Sequence, residues 1–310
     1  MKNYFRVMLG RNSMHAAECL SGGFIGAGFG MDLDLTGKLP DDWRTFNKQF
    51  APIYLAKHPA KSRISAGLAC GALWTISKGI AIGDTIVSPD GSGRYRIGEV
   101  IGDYFYHAGE MLPHRRPVRW LDQTIRRDEM STPLQKATRI PLTVVEISGY
   151  RAEIEQLISG EAMPKAPLVT GDLAVEDPTA FAMEKHLEDF LVQNWMQTEL
   201  GKEYDIFEEN GEQVGQQYPT DTGPLDILAI SKDKKRLLVV ELKKGRASDA
   251  VVGQALRYMG FVQDELAEQG QTVKGVIIAL EDDARIRRAL AMVPNIEFYR
   301  YQISFKLVRA

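Results

Sequence analysis

The chain has 310 residues, a formal net charge of −3, 44% hydrophobic and 25% charged residues, and two cysteines. That leaves room for two domains of ordinary size with the apolar content of a globular protein. It excludes a disulfide framework or a cysteine-ligated metal site, because Cys19 and Cys70 lack the spacing for either. Both read as small buried apolar residues in a reducing, cytoplasmic setting. The segment Met1-Lys-Asn-Tyr-Phe lacks the apolar core of a signal peptide. No run approaches the ~20 apolar residues that span a bilayer, so a soluble protein without membrane association is expected.

Charge is uneven: residues 1–160 hold about 20 basic and 16 acidic side chains, the remainder about 18 and 25. The front half therefore carries the basic excess.

In chain order, Tyr4–Leu9 reads as a strand and His15–Leu20 as a short helix. Phe24-Ile25 lies among glycines. This Gly-rich stretch, from Gly22 to Gly30, has the wrong spacing for a dinucleotide-binding loop and opens no helix, so close backbone approach explains it better. Lys61–Thr75 predicts a helix. Gly83–Val87 and Tyr95–Ile101 flank the turn Pro89-Asp-Gly-Ser-Gly93, a hairpin signal. Val118–Trp120 and Thr143–Ile147 are further strands, and this spacing suggests a small barrel. Gly160-Glu-Ala-Met-Pro-Lys-Ala-Pro has no period. It predicts a boundary, with a front domain over 1–160, a linker over 161–178 and a back domain over 179–310. There, residues 180–197 form an amphipathic helix, 225–230 and 236–242 are strands, and 249–267 is a helix. A buried strand over Val276–Leu280, a helix over Ala284–Met292 and strands at 296–301 and 303–308 follow. This is an α/β pattern with a mixed central sheet flanked by helices.

Acids stand in that sheet where apolar residues belong. Asp226 interrupts Leu225-Asp-Ile-Leu-Ala-Ile230, and Glu241 ends Leu237-Leu-Val-Val-Glu. A carboxylate in such a strand is costly unless paired or bound to metal. Glu241 and Lys243 are two apart and share a strand face. Gln254 and Tyr258 are four apart and stack on one helix side. Phosphodiester hydrolysis needs an activated water and neutralised phosphoryl oxygens, which a divalent cation on few carboxylates supplies. Asp226, Glu241 and the Leu242 carbonyl are the candidate ligands, with Lys243 beside them. Glu184 or Glu188 is a candidate to complete the shell, Glu188 being favoured.

Taken together, Gly-x-x-Asp226, Glu241-Leu-Lys243 and Gln254-x-x-x-Tyr258, behind a Glu-bearing helix, resemble the PD-(D/E)XK nuclease superfamily and within it the NucS-like group with a RecB-type Gln-x-x-x-Tyr. The resemblance covers 184–308. It implies a restriction-endonuclease-like fold, metal ligation by Asp226 and Glu241, and a Lys243 that orients or activates water. Mg²⁺ is the implied cofactor, with Mn²⁺ able to substitute.

In the front half, His114-Arg-Arg-Pro-Val-Arg-Trp120 concentrates charge, with Arg126 and Arg127 close behind. Arg115, Arg116 and Arg119 are candidate phosphate contacts. The order Leu73-Trp74, Gly83-Asp84, Tyr95-x-Ile-Gly-Glu-Val100, Tyr104-x-Tyr106 and His114–Trp120 resembles PUA-superfamily, EVE-like reader domains. That implies a β-rich barrel with a pocket for a modified base, for which Trp74, Tyr104 and Trp120 are the chosen walls.

The leading expectation is a Mg²⁺-dependent DNA endonuclease that restricts double-stranded DNA with modified bases, acting as a homodimer. The alternative is a NucS-like repair nuclease for mismatched, branched or single-stranded DNA. A non-catalytic nucleic-acid binding protein is the third reading.

Overall fold

The computed structural model describes residues 2–160 and 187–302. The expected linker, Glu184, the start of the helix before 187 and the strand at 303–308 lie outside the described residues. The chain divides into two compact units, residues 1–166 and 167–310.

The first unit runs β1 (Tyr4–Val7), α1 (Ala16–Gly22), β2 (Phe24–Ala27), α2 (Trp43–Lys57), α3 (Arg63–Trp74), β3 (Thr85–Pro89), β4 (Arg94–Val100), β5 (Phe105–Tyr106), β6 (His114–Arg126), α4 (Thr132–Ala137), β7 (Val144–Glu146) and α5 (Arg151–Ser159). Its sheet has the order β2-β6-β4-β3-β1-β7, with β5 also on β6. Only β1 and β3 pair in parallel. The terminal strands β2 and β7 do not pair with each other, so the sheet is an open path, where a small barrel was expected.

Both faces are covered, so apolar residues alternate between two cores. Phe5, Val7, Ile86 and Val118 join the core that also holds Phe46, Phe50, Leu73 and Ile76. Tyr4, Val87, Tyr95 and Ile125 join the other, with Leu134 and Ile154. Helix α2 was not predicted. Its Asp42 cap accepts from Thr45 N at 2.8 Å, and Phe46, Phe50 and Tyr54 recur every fourth residue toward the core. Pro52 inside it removes one helical donor and disguises the helix in the sequence. The expected hairpin turn forms between β3 and β4, with Gly91 and Gly93 at φ 84° and 86°.

The second unit holds α6 (described over 187–193), α7 (Glu199–Glu203), β8 (Tyr204–Ile206), β9 (Gln216–Thr220), β10 (Gly223–Ser231), β11 (Arg236–Arg246), α8 (Ala250–Phe261), β12 (Thr272–Glu281), α9 (Ala284–Ala291) and β13 (Ile296–Arg300). The sheet order is β13-β12-β11-β10-β8, with β9 also on β10. β11, β12 and β13 run parallel; β10 is antiparallel to β8, β9 and β11. This is the mixed sheet expected, extended by β8 and β9, which were not. One face packs Ile227, Ala229, Leu238, Val240 and Leu242 against Trp195 and Leu200. Helix α8 packs on β11 and β12. Gly275 permits this: a Cβ there would stand 2.6 Å from Met259 Sδ.

Candidate active site

The register of β10 and β11 brings the two strand acids together. The paired rungs run from Ile230↔Leu237 to Ile227↔Val240, and Asp226 and Glu241 are the next residue of each strand beyond the last rung. Ile227 and Val240 point into the core, so Asp226 and Glu241 share the other face. Asp226 Oδ2 accepts from Leu242 N at 2.8 Å, so the carboxylate takes a β11 backbone donor. Glu241 is 1% exposed. Lys243, two residues on along the same face, is partly exposed.

Helix α8 closes over the pair. Gln254 hydrogen-bonds the Tyr258 side chain, and the Tyr258 hydroxyl donates to Pro224 O at 3.2 Å. Burial pushes the Tyr258 phenol up; the Gln254 bond opposes this, and the charges of Glu241 and Asp226 add to it. The expected Asp, Glu, Gln and Tyr therefore meet in one neighbourhood.

Glu188 reaches the same place from α6, through β9. Gln217 Nε2 donates to Glu188 Oε2 at 2.6 Å and to Asp226 Oδ1 at 3.3 Å. Gln216 Nε2 donates to Glu188 Oε1 at 2.7 Å and Asp189 Oδ1 at 3.2 Å. Glu188 is 4% exposed. Sequence reasoning missed Gln216, Gln217 and Asp189. The adjacent pair of glutamines before Tyr218 was the available signal, but β9 itself was not foreseen.

Among the described residues, no three Asp, Glu, His or Cys side chains converge closely enough to cage an ion. The donor chemistry fits a hard divalent cation all the same. Asp226, Glu241, Glu188 and the Leu242 carbonyl offer only oxygen, two of the carboxylates are buried, and Asp226 and Glu188 share one amide nitrogen.

The front-domain candidates fare differently. Trp74 Nε1 donates to Pro40 O at 3.0 Å and Trp120 Nε1 to Cys19 O at 3.0 Å. Leu35 N donates to the Tyr104 hydroxyl at 3.2 Å, and that hydroxyl lies 2.9 Å from His114 Nδ1. All three rings pack against the same core, their polar ends tied to the protein.

Arg115 and Arg116 correct the expectation of phosphate contacts. Both are buried and turn inward. Arg115 Nε donates to Leu112 O at 2.7 Å, its guanidinium 3.9 Å from the Phe24 ring centroid. Arg116 donates to Gly102 O, Ile80 O and Ser77 O at 2.8, 2.8 and 3.3 Å. The strand β6 alternates these side chains into places where loop carbonyls need donors. Arg119 remains exposed, paired with Glu99 at 2.7 Å. Gly26 and Gly28 answer the glycine question: an added Cβ would meet Leu112 Cβ at 3.0 Å and His114 O at 3.1 Å at the first, and Met111 O at 3.0 Å at the second, so the close neighbours belong to the protein's own 111–114 segment. A cavity of about 660 Å³ lies elsewhere, between Arg94, Arg126, Arg127 and Gln135.

Residues 192–304 match the model of the endonuclease NucS C-terminal domain, and residues 5–147 match a domain of unknown function, DUF8426. The second unit is thus NucS-like; the PUA-like identity expected of the first is not confirmed. No curated protein matches the chain significantly. Among solved structures, a repair endonuclease from Pyrococcus abyssi aligns at 15% identity and TM-score 0.31, covering 69% of this chain and 66% of that one. The chain thus spans just under two thirds of that protein's length. An EndoMS–dsDNA complex aligns at 17% identity and TM-score 0.32, covering 68% and 79%. SfsA from Pyrococcus furiosus with Ca²⁺ aligns at 16% identity and TM-score 0.26, covering 67% and 88%. These scores are low, and the family model carries the assignment. No described helix is long and apolar enough to cross a membrane.

Proposed function

We propose that the protein is a divalent-metal-dependent DNA endonuclease of the NucS-like kind, acting on mismatched, branched or single-stranded DNA. One observation carries this: Asp226 and Glu241 lie on the same face just past the last β10–β11 rung, both close enough to Tyr258 for their charges to act on it, inside the segment that matches the NucS C-terminal model.

Asp226, Glu241, Glu188 and the Leu242 carbonyl would hold Mg²⁺ or Mn²⁺. When bound, the ion acidifies a water and draws charge from the phosphoryl oxygens. The residues of the chain do the rest. Asp226 and Glu241 fix where the ion stands, because the sheet register leaves them no other face. Lys243 presents an ammonium beside them, suited to a phosphoryl oxygen or to orienting the attacking water. Gln254 and Tyr258 hold the start of β10 through Pro224 O, which keeps the Asp226 backbone in place.

Structure-directed DNA cleavage is preferred to restriction of modified DNA. The aromatic residues chosen as base-pocket walls are anchored by their polar ends, and Arg115 and Arg116 serve the interior. A homodimer would provide two active sites for a duplex cut. The test is cleavage of labelled duplexes carrying single mismatches, flaps or splayed arms, with single-stranded DNA and methyl- or hydroxymethylcytosine duplexes alongside, in Mg²⁺ and in Mn²⁺. Cutting of a mismatched or branched substrate, absent in Asp226→Ala, is the expected result. Cutting only of modified duplexes would transfer the assignment to restriction, and no Asp226-dependent cutting of any DNA would end the nuclease reading.

A further inference from the structure

Gln217 has a peculiar position. Its φ is 52°, in the left-handed region that a residue with a long side chain rarely adopts. β9 and β10 pair at Leu225↔Tyr218 and at Ile227↔Gln216, but the intervening rung, Gln217 opposite Asp226, is missing. Backbone departures of this kind persist only where the surroundings enforce them, and they gather at working sites. Here the surroundings are two carboxylates. The Gln217 amide nitrogen has two hydrogens, and its two contacts are Glu188 Oε2 at 2.6 Å and Asp226 Oδ1 at 3.3 Å. Both partners are acceptors, which fixes the amide with nitrogen toward the acids.

An amide NH₂ set between two carboxylates does in part what a cation does there: it offers positive charge to both. It cannot do so alongside the cation, because its N–H groups point at the space a shared ion would fill. The carboxylates are accordingly spaced for hydrogen bonds, without the convergence of three acids that an ion cage requires.

We propose that Gln217 is a positioning residue that occupies the cation's place between Asp226 and Glu188 and must withdraw for a divalent ion to bind, so that it sets the metal concentration at which the site assembles. The proposal rests on the metal-dependent reading above and adds its regulation. If withdrawal limits the competent population to about a tenth, removing the amide tightens apparent ion affinity about tenfold. Gln216 continues to hold Glu188 in either state, through Oε1 at 2.7 Å.

The test is Mn²⁺ binding to the full-length chain without DNA, by calorimetry and by the electron paramagnetic resonance signal of free Mn²⁺. It compares wild type, Gln217→Ala, Gln217→Asn and Asp226→Ala. Asn tolerates the left-handed backbone but is one methylene too short to bridge both acids, so it guards against a folding failure of the alanine variant. Tighter binding in Gln217→Ala and Gln217→Asn, with a lower metal-free melting temperature and a larger rise on adding Mn²⁺, is the expected result. Unchanged Mn²⁺ affinity in both would reduce Gln217 to a structural residue and overturn the proposal. Weaker affinity would make it a residue that holds the ligands ready, which also overturns it. In both cases loss of binding in Asp226→Ala would leave the metal site standing. Binding indifferent to Asp226→Ala would overturn the metal site and the proposal together.

Discussion

The two units bury charged and titratable groups, and they satisfy them differently. The first buries Arg6, Arg115, Arg116 and the His114 ring, together with the carboxylate of Asp84, which accepts from Asn3 N at 2.9 Å and Ala81 N at 2.8 Å. Arg6 donates to the carbonyls of Leu142 and Ile140, and burial lowers it to about 10. Arg116 caps three carbonyls, and the buried His114 ring sits 2.5 Å from Met31 O. Each bonds main-chain carbonyls through at least one ring or guanidinium nitrogen, which is scaffolding. The second unit buries anions, Glu188 and Glu241, and gathers Asp226 with them, Gln217 bonding Glu188 and Asp226 while Tyr258 feels the charges of Asp226 and Glu241. Carboxylates have no use for carbonyls; amide donors and, on the reading above, an ion are what they can use. In the first unit the buried charges, Asp84 included, bond chiefly to main chain; in the second, Glu188 and Asp226 bond to the side-chain amides of Gln216 and Gln217.

The sharpest way to break this contrast is to neutralise each set in turn. Asp226→Asn and Glu241→Gln should each lower cleavage about a thousandfold or more, the several kcal/mol of barrier that a metal contributes. Their melting temperatures should hold or rise, because each removes one of two neighbouring like charges. A large fall in melting temperature would make these acids scaffolding too.

Arg116→Met should behave oppositely. It strands three carbonyls and should destabilise the first unit by about 2–4 kcal/mol in denaturant titration. The cleavage chemistry of the second unit should survive wherever the protein remains folded. A stable Arg116→Met protein with weakened DNA binding would restore the phosphate-contact role that its burial argues against.

The smallest effect is one of pH. Burial lowers His114 below its ordinary 6.5, and this outweighs the raising influence of Met31 O, Asp32 and Asp34. The folded state thus binds fewer protons than the unfolded one as pH falls below 6.5. The stability this group contributes is whole above that value and declines as pH drops toward the depressed one. The melting temperature of wild type should fall between pH 7.5 and 5.5 more steeply than that of His114→Asn, by differential scanning calorimetry. Equal slopes would put the acid sensitivity elsewhere.

Much of the site was legible before the fold. Asp226 and Glu241 stood out because apolar strands exclude carboxylates, and a period of two set Glu241 and Lys243 on one face. Gln254 and Tyr258 followed from one helical turn. The back sheet was readable for the same reason: its strands are continuous apolar runs bounded by turns. β8 and β9 were not: β8 is only three residues long, and β9 is mostly polar and contains a proline. The aromatic and arginine residues of the first unit were named by type alone, and type does not reveal which way β6 turns them.

The sequence by itself determined the chemistry available in the second unit, because an acid in an apolar strand is a local violation that any window of the chain displays. Only the tertiary structure decided that Arg115 and Arg116 look inward and that Gln217 stands between Asp226 and Glu188. Those outcomes depend on how separate elements pack, as when Gln217 meets Glu188 from another element, and on a backbone turned to positive φ, neither of which leaves a mark on the neighbouring letters.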